Sequence, residues 1–319
     1  MKTGVMAAVA ARLGIVDASA KGKKKAEKLR RGWDGPLYSE SGTAAPEDLT
    51  VRFLGTGASG WKDPDCGRRR HSSVLLDNKV LIDLTFSAEG MLPDGCRPKT
   101  IFYTHSHGDH FDPVMALKAG ITTAYVSCTW VERAKKKFAS ASAETGINPP
   151  TVIGLEIGES VDVEGLKITA MPGNHATGDI HEQALIYLVE KGTSAESLGV
   201  RLLYATDTGG LLQTAARIAG VDPLLSNGRP ITAFVMEGTI PMNQPDDYRI
   251  FSHTTIEGVG HTLASIMEAG RYTPPEGQPA YLTHMSTKNF PPHDELNKLI
   301  PWPLRAPYDG QEVIFRAVK

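Results

Sequence analysis

Four side chains able to bind a divalent cation fall within six residues of this chain: His105, His107, Asp109 and His110, in the run Thr104-His105-Ser106-His107-Gly108-Asp109-His110. Imidazole and carboxylate donors without sulfur suit zinc, manganese or iron and do not resemble a thiolate site. The apolar Ile101-Phe102-Tyr103 before the run reads as a strand, so His105 and His107, two apart in extended backbone, project to the same side. Gly108 frees the backbone to turn, which lets Asp109 and His110 face the same cavity. A single histidine is usually a surface or hydrogen-bonded core residue; four donors at strand-end spacing point to a metal site. Three further donors stand at the ends of other apolar runs, where loops can meet over one edge of a sandwich. They are His175 in Pro172-Gly173-Asn174-His175, Asp207 in Tyr204-Ala205-Thr206-Asp207-Thr208-Gly209, and His284 in Tyr281-Leu282-Thr283-His284-Met285-Ser286.

The elements that must present these donors are short apolar runs bounded by turn residues. Strands are predicted over 51–54, 73–76, 79–84, 100–104, 124–128, 152–157, 166–171, 184–190, 201–205, 233–237, 279–283 and 313–317. Helices are predicted over 113–119, 130–143, 211–219, 255–269 and 293–299. The strands fall into two groups, each interleaved with helices, and no repeat of fixed period is visible. The natural layering is α/β, two sheets face to face with helices outside, a four-layer αββα sandwich. A doubly wound nucleotide-binding fold competes, because Gly55-Thr56-Gly57-Ala58-Ser59-Gly60 follows a strand. Its helix should open at once, whereas Trp61-Lys62-Asp63-Pro64-Asp65-Cys66 is turn-like.

The T-H-S-H-G-D-H run, the isolated His175, the Asp207-Thr208-Gly209 after a strand and the closing Thr283-His284-Met285-Ser286 resemble the metallo-β-lactamase superfamily in type and order, over most of 50–319. The resemblance implies that fold, and a first metal bound by His105, His107 and His175. It implies a second metal bound by Asp109, His110 and His284, with Asp207 bridging both. Asp83 matches the superfamily's early structural aspartate, although Leu84-Thr85 follows where many members have a glycine two places on. Two divalent ions, zinc or manganese with iron as a further option, would lower the pKa of a shared water enough to supply hydroxide near neutral pH. The protein then needs no nucleophile of its own.

Composition bounds the partners. Charge is nearly balanced, 34 Lys and Arg against 36 Asp and Glu, which removes a global argument for nucleic-acid or membrane binding. Nine basic and two acidic residues fall within the first 32, leaving 25 basic against 34 acidic in an acidic body. The expected organisation is a basic N-terminal helix and linker over 1–48, then a catalytic domain over 49–319. Residues 5–20 faintly mimic a secretion signal, but Arg12 and Asp17 interrupt it, and no run approaches the roughly 18 apolar residues that span a bilayer. Cys66, Cys96 and Cys128 are few and unpaired in spacing, which suggests a reducing, cytoplasmic setting. A small phosphodiester is the expected partner, nucleic acid is disfavoured, no membrane is expected, and a homodimer is compatible with the sequence.

Within the superfamily, Phe53-Leu54-Gly55-Thr56-Gly57, Arg68-Arg69-Arg70-His71-Ser72-Ser73 and the Thr-His-Met-Ser ending look most like the phosphodiesterase branch, which includes ribonuclease Z and the phosphoribosyl cyclic phosphodiesterases. The resemblance implies that a histidine before a late helix protonates the leaving group. Ser252-His253-Thr254-Thr255-Ile256-Glu257 has the matching shape, a histidine ahead of a threonine N-cap, and His261 is its rival. The expected catalytic residues are Asp109, Asp207 and His253, and Arg68, Arg69, Arg70 and His261 are candidates for holding the substrate. The chain departs from its relatives in having only Cys66 after the G-T-G and no basic arm between His110 and His284. The expected activity is hydrolysis of a small cyclic or nucleotide-like phosphodiester. Thioester or lactone hydrolysis at the same centre is the alternative, and a metal-binding sensor or scaffold without turnover is the reading from another class.

Overall fold

The computed structural model describes residues 43–319 apart from 65 and 287–289; the basic head and most of the linker expected over 1–48 lie outside the described residues. Two seven-stranded sheets stand face to face. In the first, β1 (Leu49–Gly55), β2 (Ser73–Leu76) and β3 (Val80–Ile82) are antiparallel neighbours. β4 (Thr100–Phe102), β5 (Thr123–Ser127) and β6 (Thr151–Leu155) continue that sheet in parallel, and β14 (Glu312–Phe315) closes its other side against β1. The second sheet repeats this plan. β7 (Ser160–Val163), β8 (Leu166–Pro172), β9 (Leu185–Lys191) and β10 (Val200–Ala205) are antiparallel, followed by parallel β11 (Ala233–Glu237), β12 (Ala280–Thr283) and β13 (Leu304–Arg305).

Helices α1 (Pro113–Ala119) and α2 (Val131–Thr145) cover the outer face of the first sheet; α3 (Gln213–Ala219), α4 (Ile256–Glu268) and α5 (His293–Leu299) cover the second. Both faces of each sheet are therefore buried, and successive residues alternate between two apolar layers instead of between core and solvent. Val74, Val80, Ile82 and Phe102 enter the layer between the sheets, while Leu75, Leu81 and Ile101 pack under α1 and α2. Phe102 stacks on Tyr125 and meets Tyr187 edge-on across the sheets, at centroid separations of 4.5 and 5.7 Å. The predicted αββα layering is the observed one.

Two strands escape the sequence pattern. β7 alternates exposed with half-buried residues, and its hairpin turns on Glu164-Gly165, both at positive φ (52° and 83°), the primed turn that matches strand twist. β13 is two residues long, too short for any periodicity.

The G-T-G segment serves packing instead of a nucleotide. A Cβ at Gly55 would meet the carbonyl of His71, and one at Gly57 would lie 2.5 Å from the Cβ of Arg69. This close approach lets Asp309 receive Thr56 N (2.9 Å), Thr56 Oγ1 (2.7 Å) and Arg70 N (2.7 Å). Arg69, fully buried, donates from Nη1 to Thr56 Oγ1 (2.6 Å) and Pro307 O (2.8 Å). Burial pulls its pKa down to about 10 and Asp309 offsets part of that, so it stays charged at neutral pH. Asp309→Ala would leave three donors without their acceptor and remove the countercharge of Arg69 from this interior, and a loss of about 3–5 kcal/mol is expected in urea unfolding. A loss below about 1 kcal/mol would show the cluster to be well solvated.

Candidate metal centre

The donors sit where strands of both sheets end. β4 gives way to Thr104, whose backbone N and Oγ1 both donate to the buried Asp83 carboxylate beyond β3, at 2.8 Å each. A turn follows, with the N–H groups of His110 and Phe111 donating to His107 O at 3.0 and 2.9 Å. It swings His110 back so that its Nδ1 lies 2.7 Å from Asp83 Oδ2. In the second sheet β8 leads to His175, β10 to Asp207 and β12 to His284. His284 is bracketed by hydrogen bonds to the G-T-G segment: Met285 N donates to Thr56 O (2.9 Å) and Ala58 N to Met285 O (3.1 Å). Asp83, Asp207 and His284 have φ of 57°, 45° and 50°, a left-handed backbone that non-glycine residues adopt at a cost of order 1–3 kcal/mol and that marks functional sites.

All seven side chains expected at a metal centre converge. His105, His107, His175 and Asp207 form one group and Asp109, His110 and His284 another, with donor atoms in each within 4.8 Å of one another. Asp207 Oδ2 lies 3.2 Å from His105 Nε2 and 3.1 Å from His110 Nε2, so it stands between the two groups. His105, His110 and His175 share one arrangement, with Nδ1 engaged behind and Nε2 facing the centre, whereas His284 also brings Nδ1 to 2.7 Å from Asp207 Oδ1. His105 Nδ1 meets Thr104 Oγ1 (3.0 Å), His175 Nδ1 meets Ser252 O (3.0 Å), and His284 Nδ1 meets Thr239 Oγ1 (2.8 Å). His107 departs from it too, turning Nδ1 to within 3.2 Å of His175 Nε2. Outer partners of this kind set the tautomer and aim of metal-binding histidines.

The electrostatics call for positive charge. Burial takes His105 well below the usual imidazole range, with His110 adding to the shift. Burial also opposes charge on His284, yet Asp207 and Asp109 push it up to about 9. Burial would raise the Asp207 carboxyl, but His284 and His110 hold it well below the usual carboxylate range. His105 Nε2, His110 Nε2 and His284 Nε2 are buried without an aligned hydrogen bond among the described residues, although carboxylate oxygens of Asp207 and Asp109 lie 3.1–3.6 Å away. Buried polar atoms left in this state are expensive. Divalent cations answer both the charge and the missing bonds, so the donor set fits them.

The remaining candidates divide. His253 joins the centre, 3.7 Å from Asp207 Oδ1 and stacked on His284 at 5.5 Å. Thr255 is the N-cap of α4, accepting from Gly258 N at 2.9 Å, so His253 lies in the loop just ahead of the helix. His261 does not reach the site; it is exposed within α4 and absent from the cleft wall, because the helix turns it outward. Of the three arginines only Arg68 lines the cleft. Arg69 is buried in the Asp309 cluster and cannot meet a substrate, and Arg70 donates to Ser87 O while lying over Trp61. The sequence reading missed Glu237, wholly buried at the end of β11, whose Oε2 lies 3.1 Å from His253 Nδ1 and which accepts Thr208 N. An acid closing the apolar run Phe234-Val235-Met236 was the available signal. Tyr248 and Arg249 also line the cleft, a cavity of about 480 Å³.

Because a cation would give these nitrogens aligned partners, Zn²⁺ or Mn²⁺ at about a hundred times its Kd should stabilise the protein by about 2.7 kcal/mol, reversed by a chelator. Thermal unfolding with and without metal measures this, and identical curves would contradict it.

A family described as a beta-lactamase superfamily domain matches residues 79–285. The metallo-beta-lactamase fold protein YhfI from Bacillus subtilis is similar over 84% of this chain and 99% of that one, with a TM-score of 0.59 and 15% identity. Zn²⁺-bound PqqB from Methylobacterium extorquens is similar over 82% of this chain and 99% of its own, with a TM-score of 0.57 and 15% identity. The short form of human tRNase Z is similar over 82% and 98%, with a TM-score of 0.55 and 18% identity. At such identities the likeness is one of fold. No curated protein matches the sequence. Matched over more than half its length by that family, and carrying its fold and a buried His and Asp cluster at the strand ends, the chain belongs to the metallo-β-lactamase superfamily.

Proposed function

We propose that this protein hydrolyses a small phosphodiester, cyclic or nucleotide-like, with two divalent cations, zinc or manganese, at the strand-end centre. His105, His107 and His175 would hold one and Asp109, His110 and His284 the other, with Asp207 shared. Two such cations, when bound, supply Lewis acidity toward phosphoryl oxygens and lower the pKa of a water between them. The chain's own residues do the rest. Asp83 and Thr239 keep the imidazoles of His110 and His284 aimed inward. Glu237 holds Nδ1 of His253, which leaves Nε2 to carry a proton toward the cleft. That nitrogen is the donor to the departing alkoxide.

The observation that carries the reading is the His253–Glu237 pair beside Asp207 in a cleft of small-molecule size. Burial opposes charge on His253, but Glu237 raises its pKa above the usual imidazole value, which favours the protonated form. A proton donor of this kind is needed by a poor alkoxide leaving group and wasted on a thiolate, which favours a phosphodiester over a thioester. Arg68 brings positive charge to the wall, which suits an anionic substrate, while Arg249 there is paired with Asp247. The Zn²⁺ in PqqB and the nuclease name of tRNase Z, both of this fold, support the same direction.

Asp207→Ala should lower turnover of bis(p-nitrophenyl) phosphate by more than about a hundredfold, since it touches both groups of donors. Undiminished turnover would end the dinuclear proposal. His253→Ala should cost about 10²–10⁴ in kcat on a cyclic nucleotide and far less on bis(p-nitrophenyl) phosphate, whose phenolate leaves without a proton. Equal losses on both substrates would remove His253 from the role of acid. A metal-loaded preparation that turns over acyl thioesters or lactones and no phosphodiester would replace the proposal with that activity.

A further inference from the structure

Ser106 stands at a bend between His105 and His107, and its side chain bonds toward the 173–184 segment. On that side it meets a carboxylate. Glu182 accepts Ser106 N at Oε1 (2.8 Å) and Ser106 Oγ at Oε2 (2.7 Å). The Glu182 side chain is fully buried, and Arg133 of α2 pairs with it, donates to Ser106 Oγ (2.9 Å) and lies over the Trp130 ring. The Ser106 hydroxyl thus receives from the guanidinium and donates to the carboxylate, while Arg133 Nε has no hydrogen-bond partner among the described residues.

Glu182 belongs to the 173–184 segment that carries His175. That segment is tied down at both ends: Gly173 N donates to Ala184 O (2.8 Å), Leu185 N to Thr104 O (2.8 Å), and Gln183 Nε2 to Gly173 O (3.0 Å). Gln183 N donates in turn to Thr129 Oγ1, just ahead of α2 (3.0 Å). One carboxylate therefore joins the loop of His105 and His107 to the segment of His175, at the backbone, without touching any donor atom.

We propose that Glu182, with Arg133 as its countercharge, is a positioning residue that sets the spacing of His105, His107 and His175 for the first cation. An exposed ion pair would be worth little. A buried carboxylate gripping both the N–H and the hydroxyl of the residue between two ligands fixes local backbone dihedrals, and outer partners of metal ligands set affinity by about 10–100-fold. The inference rests on the metal centre proposed above and not on the identity of the substrate.

The test is a Co²⁺ titration of the metal-stripped full chain against a competing chelator, read by the visible d–d absorption, with unfolding of the metal-free proteins followed in parallel. Glu182→Ala should weaken one of two Co²⁺ equivalents by about 10–100-fold and change the spectrum of that equivalent, leaving the other in place. Glu182→Gln, which keeps an acceptor for Ser106 N, should recover part of the loss. Arg133→Met, at a side chain more than a third exposed, guards against a Glu182→Ala chain that does not fold, and should weaken the same equivalent. Variants that unfold at lower temperature yet bind both equivalents with wild-type affinity and spectrum would make the trio merely structural and overturn the proposal. Wild-type protein that binds two Co²⁺ but hydrolyses no phosphodiester would refute the substrate reading alone; wild-type protein that binds none would refute both.

Discussion

Nitrogen and oxygen donors from both sheets are driven against one another in the interior, with too few hydrogen bonds to satisfy them. Asp207 stands at the middle, with Oδ2 within 3.1–3.2 Å of His105 and His110 and Oδ1 2.7 Å from His284 Nδ1, and the geometry leaves three buried Nε2 atoms without an aligned hydrogen bond. An arrangement of that kind is unfavourable unless something positive joins it. The protonated states favoured at His110 and His284 show the same demand, because nearby carboxylates outweigh the burial that opposes their charge.

Much of the surrounding structure keeps this crowd from relaxing. Asp83, itself at positive φ, holds Thr104 and His110 from the first sheet, and Thr239 holds His284 from the second. The G-T-G segment hydrogen-bonds to the residue after His284, and Asp309 and Arg69 lock that segment to the C-terminal strands. Deep apolar layers on both faces of each sheet supply the rigidity, since a close-packed interior does not yield by fractions of an ångström at little cost. Donor geometry is therefore a property of the whole sandwich and not of the loops alone.

The position of Glu237 gives the centre its asymmetry. It accepts from Thr208 beside Asp207, lies against His253, and neighbours Thr239, which in turn contacts His284. One buried acid thus links the residue shared between the metal groups, the histidine assigned to proton delivery and a histidine of the second group. Arg68, Tyr248 and Arg249 at the wall are placed to set which substrate enters, and Arg249 is joined to the centre through its carbonyl, which accepts His253 N.

The sequence alone determined the layering, the five helices and the seven His and Asp side chains that converge at the strand ends. Apolar runs bounded by turn residues mark strands wherever both faces are buried, and four donors in six residues carry a meaning that no single histidine has. It did not reveal β7, whose half-exposed polar residues resemble a loop, or β13, which exists through pairing with β12. Arg68, Arg69 and Arg70 look alike as letters, yet they end at the cleft, in the interior and over Trp61, because only the packing of Thr56, Asp309 and Trp61 separates their environments. The same holds for Glu237 over an arginine as a charged neighbour of the centre, for His253 over His261, and for Glu182 behind Ser106. Each depends on contacts between residues 16 to 76 positions apart, and local pattern carries no record of distances across the fold.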